Sequence, residues 1–202
     1  MADPINDQEL KKIVDEVVTA IMATRPDNFG NTAKKIANAK EIAESKKLAI
    51  ATNIANNKNI AIGTDHGGVA LKEVLKDHLK NAGYQIIDCG THSTDAVDYP
   101  DIAQAVAQKV SAGLAWRGIV IDGAGIGSCM AANKVKGVRA AMCYDHATAN
   151  NSREHNDANV LSLGAGLIGQ NLAKQIVDTF INTKFAGGRH APRVNKIMEI
   201  ER

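Results

Sequence analysis

The chain predicts an α/β fold, one sheet of five parallel strands with helices on both faces, and three observations predict it. Short apolar runs such as Ile60-Ala-Ile-Gly and Gly118-Ile-Val-Ile recur from residue 58 onward without polar alternation, as strands buried on both faces do. Each run precedes a stretch whose apolar residues return every three or four positions, so strand and helix alternate and the strands lie parallel. Glycines and polar clusters punctuate the joints. With 45% hydrophobic residues among 202, there is material for one good domain plus an appendage. The architecture is Rossmann-like, with ligands received outside the carboxyl ends of the strands.

Residues 1–25 read as an amphipathic helical extension. Ile5, Leu10, Ile13, Val14, Val17, Val18, Ile21 and Met22 form one stripe on residues 5–24, with Asn6 or Asp7 as cap and Pro26 just past the end. A short helix with one apolar face is marginal in water and needs a surface: its own domain, a sister subunit or a docking partner. Residues 26–57, rich in Asn, Ala and Lys, read as a linker, partly helical between Thr32 and Ile54. The main domain spans 58–202. Its first strand is Ile60–Gly63, followed by a helix bearing Val69, Leu71, Val74, Leu75 and Leu79. Gly83 precedes the second strand, Tyr84–Asp88, and a loop, Gly90–Pro100, leads to a helix at Asp101–Ala112. The third strand begins at Gly118, breaks into a glycine-rich turn and enters a helix through Ser128. A fourth strand is expected at Val138–Cys143, a helix at Asp145–Glu154, a fifth strand at Val160–Leu163 and a long helix at Leu167–Asn182, before a basic tail with a short final helix.

A net charge of +2 and 3% aromatic residues argue against a nucleic-acid platform, which uses basic surface and stacking rings. Cys89, Cys129 and Cys143 have neither scaffold density nor CxxC spacing, which points to a reducing compartment and no zinc site. No apolar run approaches the ~20 residues of a membrane span, and the N-terminus lacks a basic-then-apolar leader. A soluble, cytoplasmic protein is expected.

The strand-end rule selects Thr64–Gly68, Asp122–Ser128 and Tyr144–His146 as the rim of one crevice. At its centre stands IVIDGAGIGSCMAANK, Ile119–Lys134. Glycines at 123, 125 and 127 let the backbone approach a ligand and turn N–H groups inward, while Asp122 ends the strand and Cys129 enters the helix. The simpler account is a tight strand-to-helix turn. Asp65-His66 suits orienting or protonating a substrate oxygen, or is a helix cap with an incidental imidazole. In Arg153–Asp157, His155 offers an acid/base and Asn156 a donor, unless the cluster is only an exposed helix end. Arg189 and Arg193, after Gly187-Gly188, match phosphate oxygens, or belong to a solvated tail. Glycine cradle and arginines together point to a phosphorylated ligand. A dinucleotide fingerprint is a weak alternative, because its third glycine position is Ser128 and the loop follows the third strand rather than the first.

Five motifs stand in order: DHGG at Asp65–Gly68, DYPD at Asp98–Asp101, GAGIGSCMAANK at Gly123–Lys134, REHNDANV at Arg153–Val160 and GGRHAPRV at Gly187–Val194. On them the domain resembles ribose-5-phosphate isomerase B and its relatives, the galactose-6-phosphate isomerase subunits. The resemblance implies reversible aldose–ketose isomerisation of a phosphorylated pentose through an enediolate, with no metal or organic cofactor. It assigns ring opening to His155, assisted by Asp65 and His66. The loop Gly123, Ala124, Gly125, Ile126, Gly127 and Ser128 would receive the enediolate oxygen. Asn156, Arg189 and Arg193 would hold substrate and phosphate, with Tyr99 shaping the pocket. It further implies a site between two subunits, hence a homodimer or homotetramer. The pattern and position of residues 5–24 resemble the encapsulation peptides that carry enzymes into bacterial microcompartments.

The chain departs from that family where chemistry is expected. Asp122 stands where many members have a cysteine base, and Ser128 where some have a glutamate. Ala124 replaces a hydroxyl residue, and Gly166 a third phosphate-binding arginine. Asp122, its pKa raised by burial, is the expected base, with Cys129 the second candidate. The aspartate and the missing arginine resemble the A subunit of galactose-6-phosphate isomerase. The alternative is therefore a non-catalytic sugar-phosphate-binding or partner subunit.

Overall fold

Strands Asn59–Thr64 (β1), Gln85–Asp88 (β2), Arg117–Asp122 (β3), Ala140–Met142 (β4) and Val160–Gly164 (β5) form one sheet in the order β2-β1-β3-β5-β4, with every pairing parallel. The structure is a computed structural model that describes residues 58–201. The N-terminal helix and linker expected before residue 58 lie outside the described residues. Helices α1 (Val69–Asn81), α2 (Tyr99–Ser111), α3 (Ile126–Ala132), α4 (His146–Glu154), α5 (Gln170–Asn182) and α6 (Ala191–Glu199) connect the strands and close the chain.

Side-chain alternation along each strand makes two cores. Ile60, Ile62, Ile119, Ile121, Leu161 and Leu163 pack with Leu75 and Leu79 of α1 and Ile176 and Phe180 of α5. Ala61, Val120 and Val160 point the other way, onto Val106 and Val110 of α2 and Ala132 of α3. Both faces are therefore covered, which is why the strands read as unbroken apolar runs. The α2 face is built for close approach. A Cβ on Gly63 would lie 2.7 Å from Ile102, and one on Gly118 would lie 2.9 Å from Val106.

Several boundaries differ from expectation for identifiable reasons. Helix α2 starts at Tyr99, earlier than Asp101, because Pro100 in its first turn has no N–H to leave unpaired. Helix α5 starts at Gln170, because the N–H groups of Leu167 and Ile168 turn back to the Gly164 carbonyl. The fourth strand is only Ala140–Met142, since Val138 closes a turn onto Val135.

The loop after β2 is fastened from below by a buried charge. Lys72 of α1 is wholly buried and its Nζ donates to both Asp88 oxygens, at 2.9 and 3.1 Å, and to the Thr91 carbonyl at 2.8 Å. Thr64 and the Gly90–Thr91 segment exchange two backbone hydrogen bonds, of 2.8 and 2.7 Å, tying that loop to the end of β1. Strand β1 has β2 on one side and β3 on the other, so the strand order reverses there and a crevice opens at the carboxyl ends of β1 and β3.

Candidate active site

Asp65 and Asp122 follow or end the two central strands, and the Asp65 N–H donates to the Ile121 carbonyl across the gap. The Asp65 carboxylate accepts from Gly67 N–H at 2.9 Å, capping the 3-10 turn His66–Gly68. His66 projects outward, with its Nδ1 accepting from the Val97 N–H at 3.4 Å. The aspartate thus caps the turn, and the turn holds the His66 imidazole at the surface.

The loop Gly123–Ser128 is held rigidly. Gly125 sits at φ +80°, and a Cβ there would meet the Leu163 carbonyl carbon at 2.9 Å, so only glycine fits on both counts. Ser162 Oγ donates to the Gly125 carbonyl at 2.6 Å. The loop after β5 is sewn on as well, with Ala165 N–H to the Asp122 carbonyl and Gly166 N–H to the Gly123 carbonyl. Tyr99 packs against Gly127, where a Cβ would come within 2.5 Å of its ring.

Asp122 is 5% exposed, and its carboxylate is turned into its own loop. Oδ1 accepts from Ala124 N–H at 2.8 Å and from Gly125 N–H; Oδ2 accepts from Ser128 N–H at 2.9 Å. Burial pushes this carboxyl up, but the Ser128 hydroxyl and the three backbone donors outweigh it and leave it below the usual carboxylate value. The expectation of a raised pKa is therefore reversed: hydrogen bonds to the charged form win over desolvation. Cys129 turns away from the loop, with Sγ 3.5 Å from the Ala140 carbonyl on β4, and burial raises its thiol pKa.

The remaining predicted residues lie at the opposite edge of the sheet. Helix α4 returns from the carboxyl end of β4 to the start of β5, so His155, its C-cap, and Asn156 stand at the amino edge. The five residues of β5 separate that edge from the cradle by ~13 Å at about 3.3 Å per step. Arg153 and Asp157 of the same motif are structural. Arg153 is 3% exposed and meets Asp157 at 2.7 Å, and Arg139 joins them at 3.0 Å. The tail reaches the same place, with Ala186 N–H donating to the Glu154 carbonyl. There His190 stacks on His155 with centroids 4.2 Å apart, and desolvation, then the charges of His155, Arg189 and Arg193, hold the His190 imidazole below its usual value. His190 stands between the two arginines of its motif, but only its stacking on His155 singles it out. Ser162 carried no motif at all and becomes visible only through its bond to Gly125.

The three strand ends expected to converge do so only in part. Tyr144–His146 is at the carboxyl edge, but β5 lies between β3 and β4, and Asp145 is occupied in a capping box with Thr148. For metals, Glu73, Asp88 and His92 bring ligand atoms within 4.8 Å of one another, yet Lys72 and Lys76 already pair with this cluster.

The family described as Ribose/Galactose Isomerase matches residues 60–197. Ribose-5-phosphate isomerase B of Escherichia coli is 45% identical over 139 residues, covering 69% of this chain and 93% of that one. The solved ribose-5-phosphate isomerase B of Clostridium thermocellum is 55% identical with TM-score 0.70, covering 71% of this chain and 97% of that one. The type B enzyme of Trypanosoma brucei is 44% identical with TM-score 0.70, covering 71% and 99%.

Proposed function

This chain belongs to the ribose/galactose isomerase family, and we propose that it interconverts ribose 5-phosphate and ribulose 5-phosphate, or a closely similar sugar phosphate, at a site shared by two copies of the chain. One observation carries the shared site. The N–H cradle with Asp65 and His66 lies at the carboxyl edge of the sheet, whereas His155, Asn156, Arg189 and Arg193 lie at the amino edge. One protomer would bring an acid/base and a cradle, its partner the imidazoles and a phosphate clamp.

The chemistry follows from these groups. Arg189 and Arg193 bind the phosphate as paired forks. Ring opening needs a proton moved between the ring oxygen and the anomeric hydroxyl, within reach of His155, with Asp65 and His66 on the sugar's other side. The C2 proton then leaves, the C–H electron pair forms the C1=C2 bond, and the charge falls on O1 in the cradle. Return of that proton to C1, with the O2 hydroxyl proton passing to O1, leaves the ketose. Asp122 is the proposed base.

Subunit mixing tests the reading. Asp122→Asn and His155→Gln are each expected to be inactive, and random exchange between them to regain about a quarter of the unmutated rate, since half the dimers would be hybrids with one intact site of two. Mixtures that stay inactive would place both halves of the site in one chain. A second reading, a binding subunit without catalysis, draws on the filled acceptors of Asp122. Thermal stabilisation by sugar phosphates without turnover would select it. The apolar stripe of residues 5–24 supports docking to a microcompartment shell, tested by deleting residues 1–25: activity is retained and localisation is lost.

A further inference from the structure

We propose that the Asp122 carboxylate and the sugar's O1 compete for one set of N–H groups, so that substrate binding itself frees the carboxylate to act as the base. The inference rests on the isomerase reading above and deepens it. A carboxylate offers about four acceptor positions. Those of Asp122 receive Ala124 N–H, Gly125 N–H, Ser128 N–H and the Ser128 hydroxyl. Seated so, it has no lone pair left for a carbon-bound proton. The same donors are the ones an enediolate would need, because it too presents an anionic oxygen, O1, to the N–H groups.

The backbone cannot resolve the conflict, because the loop is pinned by the Gly125 conformation, by Ser162 and by the Gly164–Gly166 segment. The Asp122 side chain can. Beside it Gly123 is exposed, and a Cβ built there would meet nothing within 4 Å apart from its chain neighbours. When O1 takes the donors, the carboxylate loses the hydrogen bonds that favour its charged form, and its proton affinity rises. In the step that follows, the C2–H bond breaks, an O–H bond forms on Asp122, and the electron pair moves through C1=C2 to O1. The carboxylic acid returns the same proton to C1. O1 takes the donors as a neutral carbonyl oxygen and becomes charged there as Asp122 is protonated, so the cradle exchanges one anion for another across the step.

The test uses the full chain and 5-phosphoribonate, whose carboxylate imitates the enediolate. Removing the competitor in Asp122→Ala should abolish turnover and tighten 5-phosphoribonate binding about tenfold or more, as expected when an occupied site becomes fully available. Binding that is unchanged or weaker, in a protein whose unmutated form turns over ribose 5-phosphate, overturns the competition and leaves Asp122 as a fixed loop clamp or an already free base. Absence of turnover in the unmutated protein would instead defeat the isomerase reading, while tighter binding in the variant would still uphold the competition. Should Asp122→Ala fail to fold, pH profiles of the unmutated enzyme decide. The acid limb of kcat should lie at higher pH than that of kcat/KM, and coincident limbs would refute the proposal.

Discussion

Replacing Lys72 with methionine removes the charge that fastens the site's outer loop while keeping most of the side-chain volume. Lys72 is fully buried and holds Asp88 and the Thr91 carbonyl within 3.1 Å. Deleting one partner of a buried pair typically costs ~3–5 kcal/mol. Asp88 would keep Lys76 at 2.6 Å and the Gly90 N–H at 3.0 Å, and these remaining partners lower the expected cost. The Thr91 carbonyl would lose a donor outright. We therefore expect Lys72→Met to cost about 2–3 kcal/mol, which for a chain of this size is a Tm fall of roughly 4–12 °C. Thermal and urea unfolding by circular dichroism measure it. Asp88→Leu in the Lys72→Met background should be non-additive by ~1 kcal/mol or more, since the two changes remove one interaction. A Tm within ~2 °C of the parent, or strict additivity, would refute the argument that Lys72 anchors the loop.

Acid should weaken the same joint. Burial pushes the Asp88 carboxyl up, but Lys76, Lys72 and the Gly90 N–H prevail and bring it from 3.8 to about 2. A pKa depressed by folding stabilises fully above the unfolded value and is lost as pH falls through the folded one. On the order of 1–2 kcal/mol, after solvent screening, should therefore disappear between about pH 4 and pH 2, and Asp88→Asn should flatten that loss in urea titrations. If Asp88→Asn loses as much stability over that interval as the parent, the pairing is not its source. At the cradle, Gly127→Ala would drive a methyl into the Tyr99 ring, so kcat/KM should fall ~10–100-fold, and Tyr99→Ala in that background should restore part of it. No rescue would mean the loop itself, not the ring, is displaced.

Much of this was legible in the residues. Ile60–Gly63 and Gly118–Ile121 are apolar at every position, and strands covered on both faces must be. The carboxyl ends of those strands carry DHGG and the glycine loop, so the rule for open parallel sheets puts the crevice there from the sequence alone. Leu167 misled: its apolar spacing extends that of α5, yet it lies 61% exposed in the turn that joins the β5 loop to the cradle. Local pattern does not register that the Gly164 carbonyl will capture its N–H.

Chemistry-bearing residue types, their order and the strand–helix alternation are properties of the sequence alone, because they depend on side-chain identity and on periods of two and 3.6 residues. The tertiary structure decided two further matters. It put His155, Arg189 and Arg193 at the edge opposite Asp65 and Asp122, because α4 and α5 both run back antiparallel to the strands they follow. It also turned Asp122 into its own loop, because three N–H groups and a hydroxyl outweigh the desolvation that burial imposes on its charge. Both depend on how segments distant in the chain meet in space, which no reading of adjacent residues supplies.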